Sequence, residues 1–331
     1  MDTTRITELL QKARDPGYWA RLNPHLTIEG RRHRAPRGPA VPQKILRQAA
    51  EQMHEQGWCQ LDKAVGTADL KVLRSAIASV KRAGWLSAFA FVYDELWLAS
   101  RIPAVAQLAE AILGPGYRLI PDFWAYFIDV NDRAHGYRPH REVTTNTLMP
   151  DGCPASITIW LPITDATLDN GCMYVIPTHL ELHRFDESEL RRIYGPQYEP
   201  LALLHRARAL PARAGAALSW NHFARHWGSF SSSSAHEPRM SVAFEFMRGD
   251  VDPAFHPHTH FWEELKPRQP MVMAPDDELP SLANRLYLLG RQIRRYWQPN
   301  DPADVFPALG NELMREGFPW RWQKRQPFRV S

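Results

Sequence analysis

The sequence predicts an α+β protein in which a sandwich or barrel of short strands lies between a mainly helical N-terminal part and a helical C-terminal extension. Two patterns carry this reading. Apolar residues recur at helical spacing in the first third of the chain. From Tyr117 the pattern changes to short aromatic and β-branched runs, separated by Asn-Asp, Pro-Asp-Gly and Asp-Asn-Gly turns. The 331 residues can bury a substantial core. They divide into 1–116 (mainly helical), 117–250 (strand-rich, with an insertion at 180–198) and 251–331 (helical extension), read together as one domain.

Residues 3–14 place Ile6, Leu9, Leu10 and Ala13 on one helical face. A Pro- and Arg-rich stretch, 31–42, reads as an irregular connection. The next helix, 42–56, has proline in its first turn and stops at Gly57. A short strand at 58–61 precedes a helix over 67–82 that buries Leu70, Leu73, Ile77 and Val80. Another helix follows Pro103 and halts at Gly114-Pro115-Gly116. Strands are expected at 122–130, 156–161, 171–177 and 241–247. The charged insertion at 180–198 reads as helical, a candidate lid or rim. Helices over 281–298, with Leu282, Leu286, Leu289 and Ile293 in phase, and over 308–316 are expected to pack on the outside of the barrel.

Composition is that of an ordinary globular enzyme, 44% hydrophobic and 23% charged. No run approaches the roughly 18 apolar residues of a membrane span, and residues 1–14 lack the apolar core of a signal peptide. Three cysteines at unrelated spacings form neither a disulfide framework nor a zinc pattern, so a cytoplasmic setting is expected. A net charge of +4 suits an anionic small molecule such as a dicarboxylate and does not demand nucleic acid. The basic, aromatic tail at 320–329 is compatible with single-strand binding; the simpler reading packs Trp320, Trp322 and Phe328 onto the domain and leaves the charges wet. The sequence leaves the oligomeric state open.

Chemistry concentrates at His140-Arg141-Glu142. In an extended strand His140 and Glu142 project to one side and Arg141 to the other. Two imidazoles and one carboxylate form the facial triad of non-haem Fe(II) sites, which leaves open positions for a co-substrate and O₂. His226 is the preferred third ligand, with His222 the alternative. Arg239 lies on a later strand that can return toward the metal. His256, His258 and His260 also fall at strand spacing, but Pro253 and Pro257 break the strand and argue against a second metal site.

Several stretches around this triad resemble the phytanoyl-CoA dioxygenase family of Fe(II)/2-oxoglutarate oxygenases. They are Trp160-Leu161-Pro162-Ile163-Thr164-Asp165, Asp169-Asn170-Gly171-Cys172-Met173, and Ile176-Pro177-Thr178-His179. The run 214–222 resembles the strand leading to the family's distal histidine, His226-Trp227-Gly228-Ser229 its His-Gly-Ser, and Arg239-Met240-Ser241 its co-substrate arginine. The resemblance spans roughly residues 45–250. The chain departs from the pattern in having Glu142 where Asp is usual, Trp227 inserted before Gly228, and a slightly longer His226-to-Arg239 spacing.

The resemblance implies a double-stranded β-helix (jelly-roll, cupin-like) core. It also implies an enzyme that binds Fe(II), 2-oxoglutarate and O₂, releases succinate and CO₂, and oxidises a small molecule, as in specialised metabolism. Arg239 would hold the far carboxylate of 2-oxoglutarate, with Ser241 adding a hydrogen bond and Thr158 and Trp160 lining the co-substrate side. Candidate substrate contacts are Tyr126, Tyr137, Asn146 and Trp227. Arg141 is expected at the surface, His135 in a loop and His179 in a structural turn. Family halogenases replace the carboxylate with Gly or Ala, so Glu142 points to hydroxylation or to desaturation, ring closure or epimerisation. The competing readings are an inactive jelly-roll binding protein and a nucleic-acid-directed oxygenase.

Overall fold

A computed structural model describes residues 3–30, 38–130, 138–142, 148–181, 186–196, 198–252, 272–297 and 303–315. Helix α1 (Thr3–Arg14) buries Ile6 and Ala13. Asp15 then caps a helix the apolar pattern did not disclose, α2 (Pro16–Leu22), by accepting a bond from the Gly17 N–H at 2.8 Å. Helix α3 (Gln43–Gln56) stops at Gly57, whose φ of 79° is left-handed. A side chain there would collide with the Thr178 methyl group, so glycine lets the helix turn directly into β1 (Trp58–Leu61). Helix α4 (Thr67–Arg82) follows, then a 3₁₀ turn (Ser87–Val92), α5 (Asp94–Leu98) and α6 (Pro103–Leu113).

The strands are β2 (Arg118–Ile128), β3 (Ser156–Pro162), β4 (Met173–Val175), β5 (Arg208–Leu210), β6 (Ala217–Asn221), β7 (His226–Gly228) and β8 (Arg239–Met247). The insertion is helical, as expected, but runs on to Arg206 as α7 (Glu187–Tyr194) and α8 (Tyr198–Arg206). A five-stranded sheet in the order β1-β6-β3-β8-β2 faces a three-stranded one, β5-β4-β7. All their pairings are antiparallel. The core is a jelly roll flanked by helices.

Strand alternation divides the interior. On β8, Met240, Val242, Phe244 and Phe246 enter the helix-covered core, while Arg239, Ala243 and Glu245 line a cleft between the sheets. On β3, Ile157, Ile159 and Leu161 face the helices, and Thr158 and Trp160 face the cleft. The β2–β8 register slips between Ile120 and Phe123, and this bulge aims Asp122 into the cleft.

The C-terminal helices are α9 (Leu282–Tyr296) and α10 (Phe306–Met314). Both pack outside the barrel, as expected, with α9 covered in turn by α1 and α10. Helix α9 is buried along nearly its whole length, because its polar residues bond inward. Arg285 pairs with Asp94 at 2.5 Å and donates to the Val92 carbonyl at 2.7 Å, and Gln292 donates to the Pro121 carbonyl at 2.9 Å. At its end, Tyr296 reaches the cleft. No single helix among the described residues is long and apolar enough to cross a membrane.

Candidate metal centre

His140 and His226 meet through two backbone hydrogen bonds: the His140 N–H donates to the His226 carbonyl at 3.1 Å, and the His226 N–H returns one at 3.0 Å. This single bridge, not the continuous strand expected, carries His140; Glu142 follows at a bend. The outcome for the side chains is still convergence. Ligand atoms of His140, Glu142 and His226 all lie within 4.8 Å of one another. Glu142 Oε1 is 3.3 Å from His226 Nε2 and 3.6 Å from His140 Nε2. The extra methylene of Glu relative to Asp does not stop this carboxylate reaching both rings.

The hydrogen bonds on the far side of each ring fix its tautomer. His140 Nδ1 lies 2.7 Å from the Arg138 carbonyl and His226 Nδ1 lies 3.0 Å from the Ala224 carbonyl. A carbonyl only accepts, so each Nδ1 carries a hydrogen, which leaves each Nε2, on the side of Glu142, as the atom available to a metal. Burial, and then His140, push His226 below the ordinary imidazole range. Burial opposes ionisation of Glu142, but its contacts with the two histidines prevail and hold it well below the usual carboxylate range. Two imidazole nitrogens and one carboxylate oxygen thus surround a common point. No thiolate joins them, so the set suits Fe(II) rather than a zinc-thiolate or cluster site.

These residues border a cleft of about 580 Å³. The His226 ring packs against Trp220 with centroids 4.5 Å apart. Also lining the cleft is Arg239, which is 1% exposed. Its guanidinium lies 5.6 Å from the Tyr126 ring and 5.5 Å from that of Trp160, and Nη1 is 3.9 Å from Met173 Sδ. Burial pushes it down to about 10. Among the described residues it pairs with no carboxylate, and its Nε has no hydrogen-bond partner. Ser241 Oγ, Thr158 Oγ1 and Trp160 Nε1 are likewise buried without partners. Such a group of unmet polar atoms is the cradle a small polar anion requires.

The other sequence-predicted residues divide. Tyr126, Thr158 and Trp160 line the cleft with the triad and Arg239. Ser241 shares the β8 face with Arg239. Trp227 does not join them: alternation on β7 turns it away from its ligand-bearing neighbour, and it stacks on Tyr174 at 5.5 Å. The alternative ligand His222 also stands apart from the triad, with Nδ1 2.8 Å from Ser156 Oγ and Nε2 3.9 Å from Glu245. Arg141 is not the surface charge expected, since it pairs with the fully buried Glu181 at 2.7 Å. Tyr137, Asn146, His135, the histidines 256, 258 and 260, and the tail at 320–329 lie outside the described residues.

Sequence reasoning missed part of the cleft wall. Asp122 accepts from Arg295 at 2.5 Å and from the Tyr296 hydroxyl at 2.8 Å, and with Tyr296 and Glu245 it lines the side toward α9. The Pro121-Asp122 bulge site inside a strand run was the one available signal.

A family model for phytanoyl-CoA dioxygenase (PhyH) matches residues 37–241, more than half of the chain. The chain belongs to this family. It is a non-haem Fe/2-oxoglutarate-dependent oxygenase with a jelly-roll core, as the sequence resemblance implied. No curated protein matches the chain. Among solved structures it is similar to the epimerase SnoN in complex with Fe³⁺, α-ketoglutarate and nogalamycin RO (16% identity, 70% of this chain and 95% of that one, TM-score 0.49). Similar too are the carbocyclase SnoK from nogalamycin biosynthesis (17%, 64% and 88%, TM-score 0.47) and HygX from Streptomyces hygroscopicus with nickel and 2-oxoglutarate bound (10%, 64% and 89%, TM-score 0.49).

Proposed function

We propose that His140, Glu142 and His226 hold the Fe(II), that Arg239 binds the far carboxylate of 2-oxoglutarate, and that the substrate is a small molecule of specialised metabolism. The observation that carries the site assignment is the convergence of two imidazole nitrogens and one carboxylate beside a cleft that also holds a buried guanidinium. When bound, iron supplies the oxidation of 2-oxoglutarate to succinate and CO₂ by O₂, coupled to oxidation of a substrate C–H bond. The protein's part is placement. The Arg138 and Ala224 carbonyls keep each imidazole in the metal-binding tautomer. Glu142 would supply one negative charge to the ion, and its presence where family halogenases have Gly or Ala favours hydroxylation, desaturation, ring closure or epimerisation.

Arg239 can hold a carboxylate by paired, charge-assisted bonds. Ser241, Thr158 and Trp160 offer further donors, and Tyr126 and Trp160 keep water from the guanidinium. Tyr126, Trp124 and Tyr296 form an aromatic wall suited to a small organic substrate. We infer also that the helical flanks and the jelly roll act as one domain, since α9 links the helical core to the cleft. Three free cysteines suit the cytoplasm.

The test is anaerobic addition of Fe(II) and 2-oxoglutarate to metal-free protein. A weak visible charge-transfer band should appear, and should be lost in His140→Ala and Glu142→Ala. A folded protein that gives no band would instead be a jelly-roll binding scaffold.

A further inference from the structure

We infer that Glu181 is a positioning residue that ties together the two segments carrying the metal-binding side chains. The inference rests on the reading of His140, Glu142 and His226 as iron ligands. Glu181 follows the 3₁₀ turn Thr178–Leu180 after β4, and its side chain is fully buried. Its two oxygens go to different segments. Oε2 accepts from Arg141 Nη2 at 2.7 Å, and Arg141 stands between His140 and Glu142. Oε1 accepts from the backbone N–H of Arg225 at 3.1 Å, the residue before His226. Arg225 Nε adds a contact at 3.7 Å. Beneath the Arg141 guanidinium lies the Phe223 ring, 4.5 Å from its carbon to the centroid.

Removing a carboxylate from water costs several kcal/mol unless it is paired and hydrogen-bonded. Among the described residues, Glu181 meets that cost through residues adjacent to the three candidate ligands. The geometry explains the benefit. Arg141 turns to Glu181 while its neighbours in sequence, His140 and Glu142, converge with His226. Holding Arg141 by Glu181 therefore fixes the segment from which His140 and Glu142 project. Holding the Arg225 N–H fixes the backbone from which His226 projects. The two segments also meet through the His140–His226 backbone bridge and the Glu142–His226 contact at 3.3 Å, and Glu181 adds a buried side-chain tie between them.

The test measures metal affinity, not turnover. Co(II), a spectroscopic substitute for Fe(II), is titrated anaerobically into metal-free wild type, Glu181→Ala, Arg141→Ala, the double variant and His140→Ala. Each sample is first checked for folding by circular dichroism and gel filtration. Glu181→Ala is expected to weaken Co(II) binding on the order of 10- to 100-fold and to change the visible Co(II) spectrum. Arg141→Ala should lose much of the same affinity, and the double variant little more than Glu181→Ala alone, since the two act as one unit. If Glu181→Ala proves unable to fold, Arg141→Ala carries the same expectation from a partly exposed position. Folded Glu181→Ala or Arg141→Ala with wild-type affinity and spectrum overturns the inference, as do strictly additive losses. If His140→Ala also binds as wild type does, the ligand assignment itself fails. A loss in His140→Ala alone refutes only the role of Glu181.

Discussion

Arg239→Met should separate binding of the co-substrate from stability of the fold, weakening the first strongly and changing the second little. Burial holds the guanidinium at about 10, which corresponds to about 3 kcal/mol against its charged form. Part of that is returned by the flanking Tyr126 and Trp160 rings, at roughly 0.5–2 kcal/mol each. Methionine has a similar length, keeps the apolar contacts and carries no charge, so the ligand-free protein should stay between about 1 kcal/mol less and about 2 kcal/mol more stable than wild type. The co-substrate loses its charge-assisted partner in a buried site, a cost of about 2–5 kcal/mol. That is roughly a 30- to 4000-fold rise in Kd. Calorimetric titration of 2-oxoglutarate into Co(II)-loaded protein without O₂ measures the first quantity, and thermal melting with and without 2-oxoglutarate the second. Wild type should melt higher with 2-oxoglutarate, and the variant should not respond. A variant that binds within threefold of wild type, or melts several degrees lower without ligand, would show that Arg239 serves the fold instead.

The remaining predictions concern the ligand choice and the framework. His226→Ala should weaken Co(II) binding by at least about 100-fold, whereas His222→Gln should stay within about threefold, because His222 bonds Ser156 outside the triad; titration of both variants decides between them. Asp94→Asn should cost about 3–5 kcal/mol in urea unfolding at pH 7, because it strips the counter-charge from fully buried Arg285. Although burial opposes its ionisation, Arg285 and the Gly30 N–H hold Asp94 below the usual carboxylate range. Its contribution is therefore complete above the unfolded value of about 4 and is lost as pH falls through the folded one, so the stability gap between wild type and variant should narrow in acid. Gly57→Ala should lower stability by about 1–3 kcal/mol, since φ is 79° and the new methyl group meets Thr178; a melt within a degree of wild type would contradict this.

Much of the fold is written locally. The helix ending at Gly57 and the strand opening at Trp58 follow from one residue's backbone freedom. In the turn at Asp169-Asn170-Gly171, Asn170 accepts from the Thr167 N–H at 2.7 Å and donates to the Asp165 carbonyl at 2.7 Å, while Gly171 allows the Ser229 carbonyl to approach. What escaped the sequence is non-local or lacks a period. Residues Ala88–Val92 are apolar and all buried, so no face stands out. Trp227 misled because nearness to a ligand in sequence was read as nearness in space, and one residue on a strand reverses the face. Arg141 was read as a surface charge because its partner, Glu181, lies 40 residues away.

Charge pairing then distinguishes framework from site. Burying an ion costs several kcal/mol unless an opposite charge or a set of hydrogen bonds meets it. Among the described residues Asp94 has Arg285, Asp122 has Arg295, and Glu181 has Arg141. Each of these pairs joins segments distant in sequence, as a structural tie should. Glu142 converges with the Nε2 atoms of two imidazoles on one point, an arrangement that suits a metal cation. Arg239 faces two aromatic rings and a thioether, an arrangement that calls for an anion. Both groups open on the same cleft. A divalent metal ion and a dicarboxylate chelating it would satisfy the two together, so the economy of buried charge, independently of any sequence motif, leads to the same pair of ligands as family membership.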